Sequence, residues 1–432
     1  MLPAATTIAA RSATDQISYS DLYARWERGN WRATELDFSQ DAVDWNETFS
    51  PLERRAALWN YAMFFHGEDA VADNLGPFID AAPREEQKYF LATQQVDEAR
   101  HAAFFARFMR EVVQRGDASV ASSLDETRGE LTWGFRQVFA RLDRVADELR
   151  RDRSRTKLAQ AVTLYHIVIE ATLAQPGQHF IERYLQERSL LPGFREGMRN
   201  VALDEQRHIG FGVKLLSDLA AEDPEVPEAV AEMLREIIPV STAVFVPPNW
   251  DLSYAECFGF TLEEIFTEGT RSMETKLRAA GLALETLPGP APIPHDLPHE
   301  QRAQRGLSLL RAGVLGEKSG PPASDPETRA LVFDSVRRAV DQRRAPDRPM
   351  TIQWDFADAE PWLLQLDNGS TRVAPGRAQA PDVALRCSWE DWVDVIGGRE
   401  DPRRLLATRR LRVRGAPRAL WSARRLFARG HR

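Results

Sequence analysis

The chain has 432 residues, 43% hydrophobic and 28% charged, a balance that suits a soluble globular protein of two domains and excludes a disordered one. No run nears the roughly 18 apolar residues of a membrane span, residues 1–16 lack a secretory apolar core, and two distant cysteines, Cys257 and Cys387, exclude a disulfide framework and point to a reducing, cytoplasmic setting. The net charge of −8 is uneven: residues 401–432 hold eleven Arg and one Asp, or +10, leaving −18 for the rest.

Helical periodicity dominates the first two thirds, with long segments expected at about 53–79, 84–116, 122–152, 155–187, 190–221 and 253–281. Breakers such as Gly76-Pro77, Pro83, Gly116-Asp117 and Pro192-Gly193 separate them, and strand signals are nearly absent. Five prolines from Pro288 to Pro298 then read as a stiff, extended spacer, so the expected division is 1–285, a linker at 286–304, and 305–432.

Downstream the period changes. Ser324-Asp325-Pro326 opens a helix carrying Val332, Val336 and Val340. Ile352, Trp354 and Phe356 alternate with polar residues as on a half-buried strand, and Trp362 to Leu366 reads as a second. Asp367-Asn368-Gly369 is a hairpin turn into Thr371-Arg372-Val373. Val383, Leu385 and Cys387 alternate again, Ser388 caps a helix ending at Gly397-Gly398, and a last strand near Leu411 to Arg414 leads into an Arg-rich terminal helix. This basic tail reads as a solvated helix face or as a contact for acidic lipid or the acidic body of the protein. Nucleic acid is disfavoured, because no recognition motif accompanies the charge.

The chemistry lies in the helical part. Asp97-Glu98-Ala99-Arg100-His101 and Asp204-Glu205-Gln206-Arg207-His208 are two copies of one pattern, Asp-Glu-x-Arg-His. Three residues turn 300° around a helix, so each Glu and His can grip one ion from the same turn. Chance alone yields about 0.6 Glu-x-x-His spacings in such a composition, so the five-residue repeat carries the signal. A two-ion carboxylate site in a bundle asks for one further Glu from each of two other helices. Glu68, among Phe64, Phe65, Val71 and Ala72, and Glu170, after Ile167-Val168-Ile169, are charges on apolar faces, where a carboxylate is costly without a cation. Four carboxylates and two imidazoles suit iron or manganese. Glu68, Glu98 and His101 would hold one ion and Glu170, Glu205 and His208 the other, with Glu98 and Glu205 bridging and Asp97 and Asp204 orienting the imidazoles.

Over residues 15–281 this pattern resembles the ferritin-like dimetal carboxylate superfamily, and within it the ribonucleotide-reductase-like ligand-binding oxidases. Trp26-Glu27-Arg28-Gly29-Asn30-Trp31 is similar to an N-terminal segment of that group. The resemblance implies an all-α ferritin-like bundle, a Mn/Fe or Fe/Fe pair, O2 as co-substrate and a bound long-chain fatty acid or other hydrophobic ligand. It also implies an ether bond between Val71, three residues after Glu68, and Tyr165, five before Glu170. On an α-helical wheel Val71 lies about 60° from Glu68, but Tyr165 lies about 140° from Glu170 and must reach sideways. The cross-link therefore rests on the resemblance. A reductase radical site is disfavoured: Phe105 stands where that subunit's tyrosine would follow His101, and no tyrosine occurs after Tyr254.

Residues 305–432 resemble the sterol carrier protein 2 family through Pro361-Trp362-Leu363-Leu364-Gln365-Leu366-Asp367-Asn368-Gly369, Asp382-Val383-Ala384-Leu385, Trp389-Glu390-Asp391-Trp392 and Arg410-Leu411-Arg412-Val413-Arg414-Gly415. The resemblance implies a smaller α+β domain with a mostly antiparallel sheet that binds acyl chains or sterols; a domain serving only to form a homodimer is the plainer reading. Three functions stay open: an O2-dependent oxidase of a hydrophobic ligand, a lipid carrier or sensor with a structural or single-turnover metal core, and an oxygenase of an aryl amine or other small molecule.

Overall fold

The computed structural model describes residues 17–117, 119–367 and 369–427. Residues 1–16, read as lacking a secretory apolar core, Asn368 of the expected turn, and Arg429 and Arg432 of the tail lie outside these. Two compact units emerge: residues 1–237 with 244–288, and residues 238–243 with 289–432.

The first unit is helical, and local sequence sets where its helices start. Ser18 and Asp21 form a capping box at α1 (Tyr19–Arg28), and Ser50 with Glu53 does the same at α2 (Pro51–Asn74), where Pro51 needs no N–H partner. α3 spans Glu85–Phe108, and Thr132 caps α4 (Trp133–Arg151). Ser154 caps α5 (Arg155–Val162), which runs straight into a π-helix, Thr163–Ala174, and then α6 (Gln175–Arg188). α7 (Pro192–Glu222), α8 (Val226–Ser241) and α9 (Leu262–Ala279) follow.

α2, α3, the π-helix and α7 carry the chemistry-bearing residues. An aromatic core fixes their spacing at one end, with the Phe194 ring 4.3 Å from Phe108 and 4.4 Å from Tyr61. Two glycines on α7 let it come close. A Cβ at Gly197 would lie 2.2 Å from Phe104 Cε2, and one at Gly212 would lie 2.2 Å from His166 Cβ. Several expectations need correcting: 53–79 breaks at Leu75 and 253–281 breaks between Glu256 and Leu262. The segment 122–152 is not continuous, because a 3-10 turn at Arg128–Glu130 ends one helix before Thr132 caps the next. α8 was not expected, since Pro224, Pro227 and Pro239 mask its apolar stripe of Val230, Leu234 and Ile237.

The second unit is α+β. α10 (His299–Arg311) and α11 (Pro326–Arg338, capped by Asp325) precede β1 (Met350–Phe356), β2 (Trp362–Asp367), β3 (Ser370–Pro375) and β4 (Val383–Cys387). α12 (Trp389–Ile396), β5 (Arg412–Gly415) and α13 (Pro417–Phe427) complete it. The sheet order is β3-β2-β1-β4-β5, and only β1 and β4 pair in parallel. Phe333 of α11 stacks on Trp362 at 4.7 Å and meets Trp354 edge-on, while Trp392 of α12 packs on Trp354 at 5.4 Å. Aromatic rings thus cover one face of the sheet.

The proline run is not the extended rod expected of it. Pro290, Pro292, Ile293, Pro294 and His295 are buried, the chain turns with Ile293 N–H donating to Pro290, and Arg305 Nε donates to Pro292 at 2.6 Å. Alternating Ile and His between the prolines give the run something to bury, which stiffness alone does not reveal. On the basic tail, Arg418, Trp421, Arg424 and Arg425 form the exposed face of α13, with the Arg425 guanidinium 4.5 Å from the Trp421 ring. Arg410 pairs with Asp391. No helix among the described residues is long and apolar enough to cross a membrane.

Candidate metal centre

All six residues singled out as metal-binding converge in the middle of the helical unit, and all are buried. Ligand atoms of Glu68, Glu98, His101 and Glu205 lie within 4.8 Å of one another, and so do those of Glu98, Glu170 and His208. Glu98 belongs to both groups. Glu205 also reaches both sides, with one oxygen 3.5 Å from His101 Nδ1 and the other 3.7 Å from His208 Nδ1.

Behind the imidazoles the two halves are crossed. His101 Nε2, on α3, lies 3.0 Å from Asp204 Oδ2 on α7, and His208 Nε2, on α7, lies 3.1 Å from Asp97 Oδ2 on α3. Arg100 and Arg207 each reach both aspartates, at 3.0 Å to Asp204 and 3.2 Å to Asp97 for the longer contacts. Trp26 Nε1 donates to Asp97 at 2.9 Å and Trp31 Nε1 to Asp204 at 2.8 Å. With an aspartate holding the Nε2 proton, each Nδ1 turns its lone pair toward the carboxylates. Replacing Asp204 with Asn should therefore lower metal affinity roughly ten- to a hundredfold, as read by competition with a chromogenic chelator. An unchanged affinity would remove the orienting role.

The electrostatics suit the binding of a cation. Burial pushes the carboxyls of Glu68, Glu170 and Glu205 up, and neighbouring glutamates push further. Burial also acts to raise Glu98, but the His208 and His101 imidazoles outweigh it and hold that group well below the usual carboxylate range. Both imidazoles, disfavoured as cations by burial, are held well above their ordinary value by the facing carboxylates. Glu170 Oε2, Glu205 Oε2 and His208 Nδ1 are buried without a hydrogen-bond partner among the described residues. Unpaired oxygens and an imidazole nitrogen aimed at one point are the donor set of a hard-to-borderline ion, so the residues fit iron or manganese.

Tyr165 stands differently from its α-helical expectation. In the π-helix Thr163–Ala174 backbone bonds run from residue i to i+5, as in Gln175 N–H to Glu170 O. Residues five apart therefore share a face, and Tyr165 need not reach sideways. Its hydroxyl donates to Glu98 Oε1 at 2.6 Å. Gln94, one turn before Glu98, was not foreseen: its Nε2 donates to Tyr165 at 2.8 Å and Glu170 at 2.9 Å, with Oε1 facing His166 at 3.3 Å. Burial pushes the Tyr165 phenol well up and drives the His166 imidazole down to about 3. Arg100, Arg207, Trp26 and Trp31 stood in the quoted motifs without a role. The one available signal was the Arg shared by both copies.

The carboxylates open into an apolar cavity lined also by Val71, Tyr165, Met63, Phe64, Phe135, Ile169 and Phe245. Val71 and Tyr165 thus face one space beside the cluster.

A bundle whose core brings four carboxylates and two imidazoles together defines the class, a dimetal carboxylate protein of ferritin-like fold. Residues 14–245 match the model of the ribonucleotide reductase small chain, and the chain belongs to that family. Residues 338–427 match the SCP-2 sterol transfer family. Among solved structures, the chain is similar to an R2-like ligand-binding oxidase from Sulfolobus acidocaldarius, 26% identical with a TM-score of 0.53 over 62% of this chain and 91% of that one. Two variants of an R2-like ligand-binding oxidase share the fold at 23% identity. One carries an anaerobically reconstituted Mn/Fe cofactor (TM-score 0.52, covering 61% of this chain and 94% of that one). The other carries a non-activated Mn/Mn cofactor (TM-score 0.53, covering 61% and 93%).

Proposed function

We propose that the chain is an O2-dependent dimetal oxidase, with Mn/Fe or Fe/Fe, acting on a fatty acyl chain or similar hydrophobic ligand. The observation that carries this reading is the opening of a buried Glu/His cluster directly into an apolar cavity. Glu68, Glu98 and His101 would hold one ion and Glu170, Glu205 and His208 the other, with Glu98 and Glu205 between them. When bound, such a pair supplies electrons to O2 and the oxidising power to remove hydrogen from a C–H bond.

The protein's own residues do the rest. The crossed Asp97–His208 and Asp204–His101 contacts fix both imidazoles before any ion arrives. Phe64, Phe135 and Phe245, with Met63, Val71 and Ile169, offer an alkyl chain apolar contacts. Glu98 accepts the Tyr165 proton in a hydrogen bond, and Gln94 holds the same phenol from the other side. Val71 and Tyr165 line the cavity where an ether bond would form; the phenol O–H and a Val C–H would each lose one hydrogen, and O2 would take up both electrons and both protons and leave as hydrogen peroxide.

The C-terminal domain would bind lipid and raise its concentration near the first unit. Repeated O2 consumption by the metal-loaded chain, dependent on added fatty acid, is the expected result. A single turnover that stops after one O2 would replace the enzyme with a carrier or sensor. Turnover only with an aryl amine would replace the substrate.

A further inference from the structure

Among the described residues, the polar side chains on the cavity wall outside the Glu/His cluster are Tyr165, which donates to Glu98, and Asn60. It lies on α2 with Phe64, Gly67 and Val71, at spacings of four, seven and eleven residues that form one helix stripe, and all four line the cavity. Eight residues separate it from Glu68, which places it ~12 Å along the helix axis from the carboxylate cluster. Its Oδ1 is buried and has no hydrogen-bond partner among the described residues. Asn60 and Phe245 also line a second, small apolar cavity walled by Phe180, Phe258 and Ile265. There Trp59, 4% exposed, presents an indole Nε1 that likewise has no partner.

A buried amide oxygen left unpaired costs more than a hydrocarbon side chain of the same shape. A site meant for a plain alkyl chain gains nothing from carrying one there. We infer that the ligand of this cavity is a difunctional acyl chain, with one polar end at the metal cluster and a hydroxyl about 12 Å away at the Asn60 amide. A hydroxyl both donates and accepts, so it satisfies the amide in either orientation. Sites built to hydrogen-bond a substrate hydroxyl reject the analogue that lacks it far more strongly than apolar pockets reject an extra group.

This inference rests on the acyl-ligand reading, and one experiment separates the two. Octadecanoic acid and 10-hydroxyoctadecanoic acid are titrated calorimetrically into delipidated full-length protein, with and without metal. The expected result is binding of both, at least tenfold tighter for the hydroxy acid, with the preference lost in Asn60→Leu, which binds octadecanoic acid at least as tightly as the wild type and holds the same metal content. Asn60→Thr, which replaces the amide with another group able to donate and accept a hydrogen bond, should retain part of the preference. Equal affinities in the wild type, or a preference that survives Asn60→Leu, would overturn the polar subsite and leave the acyl reading standing. If neither acid binds, both fall. Should Asn60→Leu fail to fold, the wild-type comparison and Asn60→Thr still decide.

Discussion

Stripping the metal is expected to lower the melting temperature by about 8 °C or more, and replacing Glu205 with Gln is expected to raise that of the metal-free protein. At a metal concentration a thousandfold above Kd, mass action contributes about 4 kcal/mol to the folded state. For a unit of this size roughly 2 °C accompanies each kcal/mol. In the metal-free protein the sign for Glu205 reverses. Glu68, Glu98, Glu170 and Glu205 share one buried space, and burial together with the other glutamates raises the cost of ionising Glu205. Glutamine keeps the shape and removes that cost, so the metal-free variant should gain about 2 °C while the metal-dependent gain shrinks. Scanning calorimetry on both proteins, each with and without chelator and with metal content measured, checks the paired signs. A Glu205→Gln protein that melts lower than wild type in both states would show the carboxylate to be an ordinary structural group.

The second expectation concerns Tyr165. After exposure to metal and air, digestion should release the peptides containing Val71 and Tyr165 as one species lacking two hydrogens, and Tyr165→Phe should abolish it completely. The variant should still bind two ions, because the phenol donates to Glu98 without belonging to the Glu/His cluster. Loss of that 2.6 Å bond and of the Gln94 contact leaves two buried groups short of a partner, at a cost of about 1–3 kcal/mol each where no water enters. Mass spectrometry reads the first effect and thermal denaturation the second. Separate, unmodified peptides from the wild type would remove the cross-link and leave the metal cluster untouched.

The cluster was legible because its parts are local. A Glu and a His three residues apart on a helix share a face whatever surrounds them, and Glu68 and Glu170 betrayed themselves as charges in apolar runs. The contacts that complete the site were not legible. Nothing in Asp97 or Asp204 says that each serves the imidazole of the other motif, since that crossing depends on how α3 and α7 pack. Gln94 looks like any polar helix residue until Tyr165, Glu170 and His166 close around it. The orientation of Tyr165 failed for a sharper reason. The wheel assumes α-helical winding, whereas Thr163–Ala174 winds as a π-helix, and the β-branched run Ile167-Val168-Ile169 was the sole hint that the winding departs there. In the second unit, alternation and caps sufficed for β1 to β4, while the buried turns of the proline run depend on Ile293 and His295 finding cover.

The central claim is a dinuclear centre held by six named side chains. Crystals of the protein loaded with iron and manganese, measured by anomalous diffraction at both absorption edges, test it most directly. The account predicts two peaks, one beside Glu68 and His101 and one beside Glu170 and His208, with Glu98 and Glu205 reaching both. A single peak, peaks elsewhere in the chain, or none after loading would contradict it.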